Sequence, residues 1–353
     1  MMKQAPRYLL VSIAVALLLL VPGGAARADE APPQPLALEA ENLLRDGNME
    51  DQPYYWEYPN HFVAPYWMRW WLKNYVIPEY DDTRTARPHY EGSHAQTYFK
   101  WGPVYYAGIY QQVTGLTPCA PYRLTAYARN HSLSGVNPHA RIGLDPQGRL
   151  LTPNQHIGEI TSLPSGVVWS AEQTSLFVWE QLTVDAEPVG SSLTAIFSAH
   201  PVPPNDGRTY YYDSYWDAAS LTASTYPSGR MPEPNSWTPS GFIYNVITST
   251  VGTSLVIDWT TAAPASTQVW YSILPPTTPI TPTGPYILYL PLVASIPTFT
   301  YATPFDPTPV TAHHVVISGL TSGDRLHVLL LSRRPLSGAC VTEISGSLFA
   351  AIP

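Results

Sequence analysis

The sequence predicts an all-β protein of two successive β domains, the first a sandwich or jelly roll, and three observations carry that expectation. Short β-like runs recur along most of the chain between Gly, Pro, Ser and Asn clusters, and no stretch holds a convincing helical apolar period. Charged residues make up only 12% of the 353 residues, against 38 prolines and 24 tyrosines, a balance of turn formers and β-favouring aromatics. The run 122–129 alternates strictly: Tyr122, Leu124, Ala126 and Ala128 fall on one face, and Arg123, Thr125, Tyr127 and Arg129 on the other. One face therefore reads as core and the other as a polar, aromatic surface, the pattern of a two-layer sheet whose outer face has a task.

The N-terminus gives the address. Lys3 and Arg7 precede an apolar run over 9–21, and Ala26-Arg27-Ala28 has the small-x-small form of a cleavage site. The run is too short to span a bilayer comfortably, so residues 1–28 are expected to be a signal peptide and the protein secreted, with no transmembrane segment left after cleavage. Cleavage removes three of the 18 basic residues and none of the 26 acidic ones, taking the formal charge from −8 to −11. Such a chain lacks the basic footprint that nucleic acid requires, and among glycans its long-range field favours neutral ones.

A Pro-rich lead-in, 29–40, comes next. Residues 42–50 read as a short strand running into the Asp46-Gly47 turn. Residues 53–80 carry eleven aromatics, among them Trp67, Trp70 and Trp71, but prolines at 53, 59, 65 and 78 predict an irregular, well-packed loop. β-like runs follow at 108–113, 122–129, 140–145, 167–169, 177–184, 192–198 and 209–221. In the third of these, Ile142 and Leu144 should point inward, with Arg141 and Asp145 opposite. The first domain is bounded at 41–223 and a linker placed at 224–240. The second domain, 241–353, has runs at 242–249, 255–260, 267–273, 313–318, 325–332 and 347–351. A Pro/Thr-rich insertion over about 274–311 contains the apolar piece 286–293, expected to pack as an extra strand.

Cys119 and Cys340 fall in different domains. A bridge needs Cα atoms within about 7 Å, which nothing in the sequence supplies, so two separate thiols are expected and an interdomain disulfide is the alternative. The ten histidines include no HExxH pair, and His313-His314 should alternate to opposite faces of a strand. Asn130-His131-Ser132 is a glycosylation sequon only in a glycosylating host. No Gly-x-Ser-x-Gly elbow is present. The pieces YFK, GIYQ and 155–157 stand in the wrong order for a jelly-roll polysaccharide lyase, so catalysis is not expected.

Four segments in order, NLLRDGNME, GIYQQVTGLTPCAPYRLTAYAR, ARIGLDPQG and YYYDSYWDAASL, resemble the CenC-like carbohydrate-binding modules, galactose-binding-like jelly rolls, over about half the chain. Cys119 and Ala218 depart from the family pattern, standing where Gly and a second Asp are common. LVIDWTT, STQVWYSI, HHVVISGLTSGDRLHVLLLS and SLFAAIP resemble the fibronectin type III-like (immunoglobulin-like) sandwich found ahead of purple acid phosphatase catalytic domains; no such catalytic region follows here. The first resemblance implies glycan binding and a structural calcium joining the first and last strands, with Glu50 and Asp217 as its acidic ligands and backbone carbonyls completing the shell.

Pyranose C–H faces stack on aromatic rings. Trp101, Tyr105, Tyr106, Tyr110 and Trp169 are therefore candidates for a sugar platform, and Arg129, Arg141 and Asp145 for bonds to hydroxyls. The expected function is non-catalytic binding of a neutral polysaccharide or cell-surface glycan. The rival is an extracellular structural or adhesion protein whose jelly roll contacts proteins, with partners in the cell envelope.

Overall fold

The computed structural model describes residues 41–57, 61–83, 88–133, 135–152, 158–274 and 298–353. The expected signal peptide, the 155–157 triplet and the apolar piece 286–293 lie outside the described residues. No helix occurs among the described residues, and the chain is all-β as expected.

The first sandwich contains β1 (Tyr55–Glu57), β2 (His61–Val63), β3 (Met68–Leu72), β4 (Glu79–Asp82), β5 (Gln96–Trp101), β6 (Ala107–Thr114), β7 (Tyr122–Ser132), β8 (Arg141–Asp145), β9 (Glu159–Ile160), β10 (Val168–Trp169), β11 (Glu180–Ala186), β12 (Ser192–Ala199) and β13 (Tyr211–Ala223). A front sheet runs β1-β2-β4-β5-β13-β7-β11 and a back sheet β10-β8-β12-β6-β3-β9. Their inner faces share one core. Phe197 of the back sheet meets Trp216 of the front at 5.0 Å between ring centroids. Trp216 is fully buried opposite Ala128, and this small partner is why the alternating alanines of β7 suit a core face.

β7 and β8 build the core as their alternation predicts, with Tyr122, Leu124, Ala126, Ala128, Ile142 and Leu144 all buried. The aromatic stretch after residue 53 differs from expectation. It is not an irregular loop: between its prolines it forms β1 to β4, each short because Pro donates no ladder hydrogen bond.

The second sandwich comprises β14 (Ile243–Val251), β15 (Ser254–Ile273), β16 (Tyr301–Ala302), β17 (Asp306–Ile317), β18 (Arg325–Leu336), β19 (Ala339–Ile344) and β20 (Leu348–Ala351). The two runs expected at 255–260 and 267–273 are one strand, β15, which changes partners midway. Its first part pairs with β14 and β17, and its last residues with β18 and β16. The switch falls at register shifts between Thr260 and Thr267, around Pro264. β17 begins at Asp306, inside the segment expected to be an insertion. His313 is buried against the Trp259 ring while His314 is exposed, so the two do alternate.

The expectation of two separate thiols is overturned. Cys119 and Cys340 form a disulfide with Cα atoms 5.5 Å apart, tying the first sandwich to the β18–β19 hairpin. The linker brings them together because it is not free: Tyr226 and Met231 are buried with Trp270, Leu329 and Ile344 of the second sandwich. Tyr226 also donates its hydroxyl to the Cys119 carbonyl, at 3.4 Å. Nearby, Arg333 donates Nε and Nη2 to Glu187 Oε2, at 2.9 and 2.6 Å.

Candidate functional site

The predicted platform residues do not form one site. Tyr105 and Tyr110 are fully buried, one donating to the Tyr98 carbonyl and sharing a 3.0 Å bond with Ser214 Oγ, the other bonded to Thr152 Oγ1 at 2.7 Å. Burial raises both phenol pKa values. Asp145 is also fully buried. Its two oxygens take a forked pair from Arg149, each bond 2.8 Å, and the Gln147 and Arg149 amides, so it closes the turn after β8. None of the three offers a face to a ligand.

Tyr106, Arg141 and Trp169 do meet, on the outer side of the back sheet. The Arg141 guanidinium lies 4.2 Å from the Trp169 ring centroid, its Nη2 donates to the Tyr106 hydroxyl at 3.1 Å, and its Nη1 is 3.5 Å from Glu172. Tyr106 stacks on His200 at 4.6 Å, and burial beside His139 lowers the His200 pKa. Next to this cluster, Trp70, Tyr110 and Ile196 are roofed by Ile160, Leu163 and Val167. The rings here cover one another and the polar groups bond one another. The cluster is already saturated by its own members.

The front sheet presents a partly open aromatic surface, exposed at the Trp101 end and at Tyr90, with Thr97, Tyr215 and Asp217 buried at its middle. Trp101, at the end of β5, is 68% exposed and lies parallel to its cross-strand partner Tyr211, 5.9 Å between centroids at 4°. The Tyr211 hydroxyl bonds His131 Nε2 at 2.7 Å, and His131 packs edge-on against Phe177, which is 49% exposed. This row crosses β5, β13 and β7. Further along β7 on the same face come Arg129 and Tyr127, opposite Tyr215 and Asp217. Tyr127 stacks against Tyr90 at 3.6 Å, with Trp179 edge-on beside it. From His131 to Thr125 the face extends about 20 Å at the rise of a strand.

At the Thr125 end the surface drops into an open concavity of about 630 Å3 lined by Asn42, Asp46, Asn48, Tyr90, Tyr127 and Ser220. It sits at a bulge in β13 between Asp217 and Ser220. Ala218 takes a left-handed backbone there (φ 48°), costing roughly 1–2 kcal/mol. Asp217 Oδ1 accepts its amide at 2.6 Å, and the Gly47 carbonyl accepts that of Ala219 at 2.7 Å. A Cβ on Gly47 would collide with the Ala219 carbonyl, so the Asp-Gly turn read from the sequence is what lets the N-terminal segment dock.

The two predicted calcium ligands flank one loop. Asp217 Oδ2 accepts the Tyr90 and Glu91 amides at 2.7 and 3.2 Å, and Glu50 Oε1 accepts those of Ser93 and His94 at 2.8 and 2.7 Å. Burial pushes Asp217 up to about 6 and Asp46, missed in the sequence, up to about 7. Asp46 Oδ2 is closed to solvent without a hydrogen-bond partner. Burial also drives the Tyr54 hydroxyl pKa upward, and the charges of Asp82, Asp46, Asp217 and Glu50 add to it. These donors suit a hard, oxygen-bound cation. Among the described residues no three acidic, His or Cys side chains converge to hold a metal alone, so carbonyl oxygens would have to complete a shell.

Tyr90, His131, Phe177, Trp179 and Tyr211 were not singled out as site residues in the sequence. The signal was present for Tyr211 and His131, which continue the outward alternation of β13 and β7. Asn130 is buried, bonding Gln173 and Ser214, so the sequon is not available for glycosylation.

No protein-family model and no curated protein matches the chain. Among solved structures, TmCBM61 in complex with β-1,4-galactotriose aligns with 52% of this chain and 100% of its own, at 15% identity and a TM-score of 0.34. The CBM22-1–CBM22-2 tandem of Paenibacillus barcinonensis Xyn10C aligns with 88% of this chain and 98% of its own, at 10% identity and a TM-score of 0.31. The enzymatically active domain of the bacteriophage CBA120 tailspike protein 4 aligns with 52% of this chain but only 21% of its own, at 10% identity and a TM-score of 0.31. Likeness at this level does not reach function.

Proposed function

We propose that this is an exported, non-catalytic glycan-binding protein that seats a polysaccharide along the outer face of the front sheet. One observation carries the reading: Trp101, exposed at the end of β5, leads a row completed by the half-buried rings of Tyr211 and His131 on the next two strands, with a second aromatic group and a polar concavity further along the same face. Rings with an uncovered face suit pyranose stacking, and sheet-borne rings lose little freedom when the sugar arrives. The back-sheet cluster is the poorer candidate because its rings and polar groups are occupied by each other. Export is supported by the leader-like N-terminus and by the Cys119–Cys340 bridge, since disulfides persist in oxidising compartments. The second sandwich, fibronectin III-like in its sequence pattern, would act as a fixed stalk.

The proposal includes a calcium ion held by Glu50 and Asp217, with backbone carbonyls completing the shell. It would tie residues 46–50 to the end of the domain. The test of the main proposal is a glycan-array screen of the mature chain with a Trp101→Ala control. Retained glycans whose signal falls in the variant support it. Retention of no glycan, or retention indifferent to Trp101, rejects it in favour of a surface that contacts proteins.

A further inference from the structure

We infer that the glycan carries an anionic group, and that Arg129 receives it. This inference rests on the front-sheet face being the glycan site and goes against the neutral ligand expected from net charge. Arg129 lies midway along the face, between Tyr127 and His131 on β7 and opposite Tyr215. Other cations along the front sheet have acidic neighbours: Lys100 lies 3.5 Å from Glu79, Arg123 makes a forked pair with Asp185, and His131 lies 3.5 Å from Asp213. Arg129 has no ion pair or hydrogen bond to any described residue. Its Nε–H is shut off from solvent without an acceptor.

That Nε–H is as closed to a ligand as to water, whereas the two Nη groups make no hydrogen bond and are not closed off, so they are the donors an incoming oxygen can reach. A guanidinium presents two parallel N–H groups, and a carboxylate or sulfate answers both, whereas a sugar hydroxyl answers one. The acids nearest in register do not compete for it. Asp213 accepts from the Tyr215 hydroxyl at 3.0 Å and lies beside His131, and Asp217 is taken by the amides of residues 90, 91 and 218. The overall negative charge slows the approach of an acidic chain at low salt but falls away within about 10 Å at moderate ionic strength. Contact at Arg129 is decided locally. The aromatic groups on either side would stack the sugar rings while Arg129 holds the acid between them.

Isothermal titration with size-matched pairs tests this. The probes are xylo-oligosaccharides with and without a glucuronic acid branch, galacturono- against galacto-oligosaccharides, and a sulfated galactan oligosaccharide. The wild type should prefer an acidic member by about tenfold or more, equivalent to about 1.4 kcal/mol. Arg129→Gln should bring that affinity down to that of the neutral partner, and Arg129→Lys should keep part of the preference. The carboxylated and sulfated probes tell the two anion types apart. Equal or tighter binding of the neutral members, with binding still lost in Trp101→Ala, overturns the anionic inference and leaves the glycan face standing. Failure of every sugar to bind overturns both. Binding of polyglutamate through Arg129 with no sugar bound moves the site to an acidic protein partner and also overturns it.

Discussion

Removing the Cys119–Cys340 bridge with Cys119→Ser should separate the unfolding of the two sandwiches. The bond closes a loop over a sequence separation of 221 residues. The chain-entropy relation for a loop of that length gives roughly 18 cal/mol/K, or about 5 kcal/mol at 25 °C, as the stabilisation of the two domains unfolding together. For domains of this size that corresponds to roughly 10–20 °C in Tm. Each sandwich has its own apolar core, so each can melt alone once the tether is cut. The Arg333–Glu187 pair and the packing of Tyr226 remain at the junction and hold back part of the loss. Scanning calorimetry of wild type and Cys119→Ser, without reductant, should show one cooperative transition becoming two, the lower displaced by several degrees. Two reactive thiols in the native wild type, or a Tm within about 2 °C of wild type in the variant, would refute the bridge as a structural tie.

The remaining expectations concern the cation, two histidines and one buried tyrosine. Chelation should lower the melting of the first sandwich and spare the second, because an ion at a hundred times its dissociation constant adds about 2.7 kcal/mol; unchanged melting with no metal by elemental analysis rejects the calcium site. Burial lowers His61 and His313 from 6.5 to about 4, so both must stay neutral in the folded protein. Below pH 6.5 the unfolded chain takes up protons that the folded one refuses, so their contribution is complete above 6.5 and lost as pH falls toward 4, on the order of 3 kcal/mol each. In urea titrations the stability advantage of wild type over His313→Asn should shrink between pH 7 and 4.5; a constant difference contradicts this. Tyr105→Phe should cost about 1 kcal/mol through its lost bond to Ser214 and leave glycan affinity unchanged, whereas weakened binding would return Tyr105 to the site.

Much of the fold was legible because period-2 alternation translates directly into faces. Tyr122 to Ala128 and the pair Ile142 and Leu144 lie in the core as that arithmetic requires. The outward set Arg123, Thr125, Tyr127 and Arg129 was likewise readable as a working surface. Alternation says which face a residue takes but not whether that face is open. Arg141 and Asp145 share a parity, yet one is half-exposed and the other is enclosed by its own turn and Arg149. Trp101 and Tyr106 are five residues apart, but after β5 the chain crosses to the other sheet, which puts them on opposite sides of the sandwich. The disulfide was hidden for the same reason. The proximity of Cys119 and Cys340 depends on how the 226–231 segment packs, and nothing local to either cysteine encodes that.

The central claim is that the front-sheet face binds sugar, and the most direct measurement compares Trp101→Ala with Arg141→Ala for affinity toward a glycan retained by the wild type. The two residues lie on opposite outer faces, and neither contributes to the shared core, so both variants should keep the wild-type circular dichroism. The account predicts at least about a tenfold loss for Trp101→Ala, from one stacking contact and its buried area, and wild-type affinity for Arg141→Ala. Loss in Arg141→Ala with full binding in Trp101→Ala would place the site on the back sheet and contradict the account.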